Sequence, residues 1–471
     1  MKILLVHAHS DPYITAGRYK KFLRIMPPIS LAYVAAAAEK AGHEVKLFDD
    51  ALLGGDKALL EKTIKEFKPD LAGLSVVTPS ANGCYQVAES IRHIAPEIKI
   101  VMGNIHADIF HSRILKQGLC DIVVRGEGEL TFPDLLNALS SGQDLASVQG
   151  ISFLMNGELI DTPDRPFISN LDKLPFPAWH LFPIEKYRIF QFAEITTPAS
   201  LIQGSRGCPY GCSYCCLKIM GRVRRVRTPQ NICDEIEIHH DRYGYRQISF
   251  TDPIFPLTKQ EGLEFAHEMI KRGLNKKVVW ITETRVDLVD LELLEALAAS
   301  GCRRIMYGFE AGDEQGLEAV KKGADLDQAR KAVALTRKAG IQIVGFFMLG
   351  VPGETVASAK RTIEFAKELD LDFAKFTAFV PFPGTPIYND LLASNNIEDT
   401  EQWERYSNYP TPDIRPIYIP KDVTHNQLIA LQRKAFADFY IRPKMIWKHF
   451  VELRSLKISD AISGLGVLFS K

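Results

Sequence analysis

The chain has 471 residues, too many for one ordinary hydrophobic core, so two or three domains are expected. With 46% hydrophobic and 24% charged residues it has the balance of a soluble globular protein. Its 57 Lys+Arg against 57 Asp+Glu leave no net charge, which excludes bulk attraction to nucleic acid or to an anionic membrane surface.

The opening MKILLVHAHSD is too short for a signal peptide and reads as a first strand, and no run reaches transmembrane length. A cytoplasmic, reducing location follows, where clustered cysteines hold metal or do chemistry more often than they form disulfides. Residues 1–145 alternate apolar runs with helical spacing. KILLVHA (2–8), EVKLFD (44–49), DLAGLSVV (70–77), IKIVMG (98–103) and DIVVRG (121–126) read as strands. ISLAYVAAAAEKAG (29–42), with Gly42 at its stop, LLEKTIKEF (59–67) and VAESIRHI (87–94) read as helices between them. The alternation predicts an α/β fold, here a Rossmann-like, doubly wound parallel sheet.

Such sheets bind ligands beyond the carboxyl ends of their strands. Ser75, Thr78 and Ser80 follow one such end. Gly103, Asn104 and His106 follow another, and Gly126, Glu127 and Gly128 a third. No G-x-G-x-x-G opens the first helix, which counts against a dinucleotide. The proline- and aromatic-rich DTPDRPFISNLDKLPFPAWHLFP (161–183) reads as an extended, packed segment within a connector over 146–195.

Over 196–390, strand and helix alternate six more times, from LIQGS (201–205) to FAKFTAFVP (373–381). That pattern predicts a (β/α)6 partial barrel of the TIM type, with chemistry at the C-terminal ends of its strands. Residues 391–471 form a helical, irregular extension. Within it KMIWKHFVELRSL (444–456) mixes basic and apolar residues, and is expected to pack on the protein's own core rather than on a membrane. Cys84, Cys120 and Cys302 read as small buried apolar residues.

GCPYGCSYCCLK (207–218) places four of the eight cysteines within nine positions. A structural zinc site completes four ligands, and only Cys233, His239 or His240 offers a distant fourth to Cys208, Cys212 and Cys215. An iron–sulfur cluster held by three thiolates accounts better for the spacing, and leaves one iron open to a substrate or cofactor. Gly207 and Gly211 are expected to let the loop wrap closely. The following RVRRVRTPQNICDEI (222–236) has Thr228-Pro229 as a helix start, and its arginines read as a solvated basic surface or as partners for substrate carboxylates or phosphates.

Cys208-Pro-Tyr-Gly-Cys212-Ser-Tyr-Cys215 resembles the cluster loop of the radical S-adenosylmethionine (radical SAM) enzymes. The resemblance implies a [4Fe–4S] cluster on Cys208, Cys212 and Cys215, with SAM on the open iron and its reductive cleavage to a 5′-deoxyadenosyl radical. It places Tyr214 by the adenine. ITETRVD (281–287), MYGFEAGDEQGLEAVKKG (306–323), GFFMLGVPGET (345–355) and VPFPGTPIYN (380–389) resemble later barrel segments in the right order. They imply SAM-side roles for Arg285, Glu310 and Gly353. In ISFTDPIF (248–255), Pro253 stands where relatives carry a second acid, which leaves Asp252 as the SAM or substrate contact to be examined.

A doubly wound domain before such a barrel resembles the cobalamin-binding subgroup. By that resemblance the loops at Ser75–Ser80, Gly103–His106 and Arg125–Glu129 hold the cobalamin and its nucleotide tail. HAHSDPYITAG (7–17) lacks the D-x-H-x-x-G spacing that supplies a cobalt ligand, so His7, His9 and His106 read as polar loop residues rather than axial ligands. The layout, with AFADFYIRPKMIWKH (435–449), is similar to the branch holding anaerobic magnesium-protoporphyrin monomethyl ester cyclase and carbon methyltransferases. The implied chemistry is methylation of an unactivated carbon through the adenosyl radical and methylcobalamin. Cyclisation or rearrangement without methyl transfer is the alternative, and a non-catalytic cobalamin or Fe–S sensor is a second. The implied partners are a small-molecule substrate of lipid, tetrapyrrole or other secondary-metabolite class and a reductant such as flavodoxin or ferredoxin, with no nucleic acid.

Overall fold

The computed structural model describes residues 1–10, 24–189, 192–449 and 453. Much of the stretch from His7 to Gly17 lies outside the described residues, as do most residues after 449. The first sheet contains β1 (Lys2–His7), β2 (Glu44–Asp49), β3 (Leu71–Ser75), β4 (Lys99–Gly103), β5 (Ile122–Val124), β6 (Ile151–Met155) and β7 (Glu158–Asp161). Its order is β2-β1-β3-β4-β5-β6-β7. The first five strands pair parallel; β6 and β7 add antiparallel at one edge. The expected connector from 146 therefore contributes a hairpin to the sheet. Its turn is Asn156-Gly157, both at positive φ (53° and 83°), as a two-residue hairpin turn requires.

Each face of this sheet buries a separate core. Helices Ile29–Lys40 and Gly128–Ser141 cover one face over Leu5, Val101 and Val124. Helices Lys57–Phe67, Ala81–Ile94 and Ile105–Lys116 cover the other over Val6, Leu74 and Met102. Strand order reverses between β1 and β3, which makes their carboxyl ends the switch point where such sheets open a crevice.

The second sheet is parallel, in the order β8-β11-β12-β13-β14-β15, from β8 (Ala199–Ile202), β11 (Gln247–Phe250), β12 (Val279–Thr284), β13 (Cys302–Glu310), β14 (Gln342–Leu349) and β15 (Phe373–Ala378). Among the described residues no ladder joins β15 to β8, so the barrel is partial. Alternation sorts the side chains. Trp280, Ile305, Phe347 and Phe376 point outward under the helices. Leu201, Ile281, Met306, Val344 and Phe373 point inward and are floored by Trp179, Phe182, Tyr187 and Ile189 of the connector. One layer above, Glu283, Gly308, Phe346 and Lys375 keep part of their surface open, so the lumen is filled below and open above. A two-residue antiparallel ladder, β9 (Ser205–Arg206) with β10 (Arg225–Val226), closes the base of the cysteine loop.

Candidate active site

The loop between β9 and β10 carries Cys208, Cys212, Cys215 and Cys216, all as free thiols. Gly207 has φ +86°, and a Cβ there would lie 2.2 Å from the Val223 carbonyl oxygen, so only glycine lets the two arms of the loop meet. Gly211 differs from the expectation. Its φ is not in the left-handed region and its nearest neighbour is the Arg222 guanidinium at 3.6 Å, so no close approach demands glycine there. Burial and the neighbouring thiols of Cys208 and Cys212 push the Cys215 thiol up to about 11. Arg285 sets a guanidinium 3.9 Å from Cys212 Sγ. Asp287 holds that group at 2.9 and 3.1 Å, and it stacks on Tyr210 at 3.8 Å.

Tyr214 reaches from the loop to β13. Its hydroxyl donates to Glu310 Oε1 at 2.8 Å, and Lys322 Nζ donates to the same oxygen at 2.7 Å. Glu310 sits at φ +65°, just past a register shift in the β13–β14 ladder. A left-handed non-glycine residue costs about 1–2 kcal/mol. The conformation lays its carboxylate over Gly308, where a Cβ would lie 2.3 Å from Glu310 Oε1 and 2.8 Å from Lys322 Nζ. Lys322 and Gly308 both lie in the segment 306–323 that contains Glu310, yet nothing in the sequence singles them out. Gly353 has φ +78° and open space beyond it, on a turn whose Gly350 N–H is received by the Glu354 carboxylate.

Asp252 is not on this surface. It is buried, receives the Gly204 N–H at 2.9 Å and the Ser205 hydroxyl, and thereby staples the turn from β8 into β9. Burial pushes it up to about 7.

A cavity of about 280 Å³ opens at the switch point of the first sheet. Ser75, Gly103, Asn104, Gly126 and Glu127 line its rim, and Arg206 and Met220 from the arms of the cysteine loop line its far wall. Asn104 Nδ2 donates to Ser75 Oγ at 2.9 Å. Thr78, Ser80 and His106 stand behind it instead. His106 is fully buried, with Nδ1 against Thr78 Oγ1 at 3.1 Å, Nε2 against Tyr85 OH at 2.8 Å, and Trp403 edge-on at 4.5 Å. Burial lowers it to about 3, so it is a neutral core histidine. His7 and His9 are engaged by Asp49 and Asp50. Glu127 accepts from Arg206, Arg225 and the Ile168 N–H.

The arginines of 222–227 correct the expectation of a solvated surface. Arg224 binds Glu261, Arg225 binds Glu127 and Arg227 binds Glu235, all largely buried; Arg222 alone is exposed.

Residues 202–366 match the radical SAM superfamily and residues 19–136 match the B12 binding domain. An uncharacterized methyltransferase of Pyrococcus horikoshii is 34% identical over 99% of this chain and 98% of its own length. The chain belongs to the cobalamin-binding radical SAM family. Anaerobic magnesium-protoporphyrin IX monomethyl ester cyclase of Cereibacter sphaeroides is 28% identical over 94% of this chain and 71% of its own. The structure of the radical SAM methyltransferase TsrM of Kitasatospora setae superposes with a TM-score of 0.73 at 19% identity, over 92% of this chain and 90% of that one, and shares the fold.

Membership makes the protein an enzyme whose cofactors are a [4Fe–4S] cluster, SAM and cobalamin. The donor set fits the cluster. Three thiols of one loop, near enough that Cys208 and Cys212 help raise the Cys215 thiol, offer one thiolate to each of three irons of a cubane. The alternative zinc ligands lie elsewhere: Cys233 is in the barrel core, and His239 and His240 bond Ser200 and the Tyr245 carbonyl. The apolar cavity with its small-residue rim fits a cobalamin side group, and among the described residues no histidine lines it.

Proposed function

We propose that this enzyme methylates an unactivated carbon of a small-molecule substrate. The observation that carries the reading is the shared wall. Arg206 and Met220 flank the cluster loop and also close the first-sheet cavity, so the two cofactor sites adjoin. The identity to a methyltransferase along the whole chain supports it. When bound, the cluster supplies the electron that cleaves SAM to a carbon radical, and cobalamin supplies the methyl carrier.

The chain's part is binding and placement. Cys208, Cys212 and Cys215 ligate the cluster, and Arg285 beside Cys212 offsets thiolate charge. Tyr214, Glu310 and the Gly353 turn form the SAM side, with Lys322 fixing the Glu310 carboxylate. Ser75, Gly103, Asn104 and Gly126 hold the corrin side group, while Thr78, Ser80, His106 and Asp252 brace loops from behind. The substrate enters the open upper lumen, and a reductant such as flavodoxin or ferredoxin docks where Pro209 and Gly211 bring the loop to the surface. The similarity to the cyclase favours a second reading, oxidative ring closure without methyl transfer.

The test is anaerobic incubation of reconstituted, reduced enzyme with CD3-labelled SAM and a small-molecule extract, followed by mass spectrometry. A product carrying all three deuterons supports methylation. Consumption of a compound with label-free product, with 5′-deoxyadenosine formed, selects the cyclase reading.

A further inference from the structure

The cluster loop is held by acids of the other domain. Arg206, at the loop's first arm, donates Nη1 to Glu127 at 2.9 Å and Nη2 to Glu129 at 2.5 Å. Arg225, at its second arm, donates to both Glu127 oxygens at 2.8 and 2.7 Å. All four side chains are less than a tenth exposed. On the loop's far side, Lys218 meets buried Asp108 at 2.7 Å, and Asp108 also accepts the Gly126 N–H at 2.9 Å. Three cations of the loop thus meet three acids of the first domain, two of them in the 126–129 segment that lines the cavity.

Every ion pair of this network crosses between the two domains. Losing one member strands a buried charge, so evenly charged pairing is demanding. Its stiffness depends on water. With water in the cavity beside Glu127, Glu129 and Arg206 the pairs are screened; with the water displaced the same pairs strengthen.

We propose that this lattice is a positioning device through which filling of the first-domain cavity by cobalamin pre-organises the cluster loop for SAM. The proposal rests on the reading that the cavity takes cobalamin and the loop takes the cluster. Arg206, Arg225 and Lys218 are positioning residues, and Glu127 belongs to the lattice rather than to cofactor contact. By linkage, each ligand tightens the other by one shared factor.

The experiment measures the affinity of the reconstituted, reduced protein for a non-cleavable SAM analogue, in which nitrogen replaces the sulfonium sulfur, by the change in the cluster's paramagnetic resonance signal, with and without hydroxocobalamin. In the wild type, cobalamin is expected to tighten SAM binding about tenfold. In Glu129→Gln and in Lys218→Gln the factor is expected to fall to within about twofold of unity, while the corrin absorption band and the iron content persist. A merely structural role would lower both affinities and leave the factor intact. If Glu129→Gln fails to fold, the half-exposed Lys218 gives the decisive variant. Absence of coupling in the wild type, or an undiminished factor in both variants, overturns the proposal. A wild type that takes up neither cobalamin nor a cluster overturns the underlying reading instead, and is recognised by its absorption spectrum and iron content alone.

Discussion

Cys212 is the thiol that Arg285 approaches, at 3.9 Å, and its carbonyl receives the Cys215 N–H. Replacing it with alanine is expected to abolish cluster loading and bring 5′-deoxyadenosine formation to background, with folding retained; iron analysis and circular dichroism check both. Tyr214→Phe removes one of two donors to Glu310 Oε1. A net hydrogen bond of about 1 kcal/mol corresponds to about a fivefold rise in the SAM dissociation constant. His106→Leu strands Thr78 and Tyr85, at about 1–3 kcal/mol of stability, and is expected to leave cobalamin affinity unchanged. At this scale the cysteines were legible because thiolates at that spacing have few uses. Lys322 and Gly308 were not, because a register shift and a left-handed Glu310 bring them together, and neither leaves a mark in the sequence.

The elements were more legible than their junctions. Hydrophobic alternation located the strands that carry both sites, since each has a buried face that a one-residue slip would expose. The hairpin of β6 and β7 carries the Asn-Gly turn signal in LMNGEL, but the prolines that follow it make the whole stretch resemble a connector. The cysteine loop depends on its hinge. Gly207→Ala sets a Cβ against the Val223 carbonyl at positive φ, and is expected to cut cluster loading sharply, whereas Gly211→Ala is expected to leave it within about twofold. Parallel reconstitution of the two variants checks the contrast. At the C-terminal end, Met445 is buried as expected of a segment packed on its own core, but Ile446 and Trp447 remain exposed.

For the whole molecule, what sequence could not convey is how the domains share charge. The run RVRRVR reads as a surface, yet Arg225 pairs with Glu127 of the first domain and Arg224 with Glu261 farther along the barrel, while Arg227 turns inward to Glu235 of the helix that follows. Burial of Asp252 has a global consequence. Its folded value near 7 exceeds its ordinary 3.8, so its contribution to stability is present at low pH and lost as pH rises through about 7. Asp252→Asn can still accept the Gly204 N–H, and its melting temperature relative to wild type is expected to rise between pH 4 and pH 8, which thermal scans measure. Among the described residues no helix is long and apolar enough to cross a membrane. The central claim is that three cysteines and an adjoining cobalamin cavity make one methyl-transferring enzyme. It is tested most directly by adding methyl-labelled SAM to the reduced, cluster-loaded, cobalamin-loaded protein without oxygen. The account predicts both 5′-deoxyadenosine and label on the protein-bound corrin. An intact cluster with neither would contradict it.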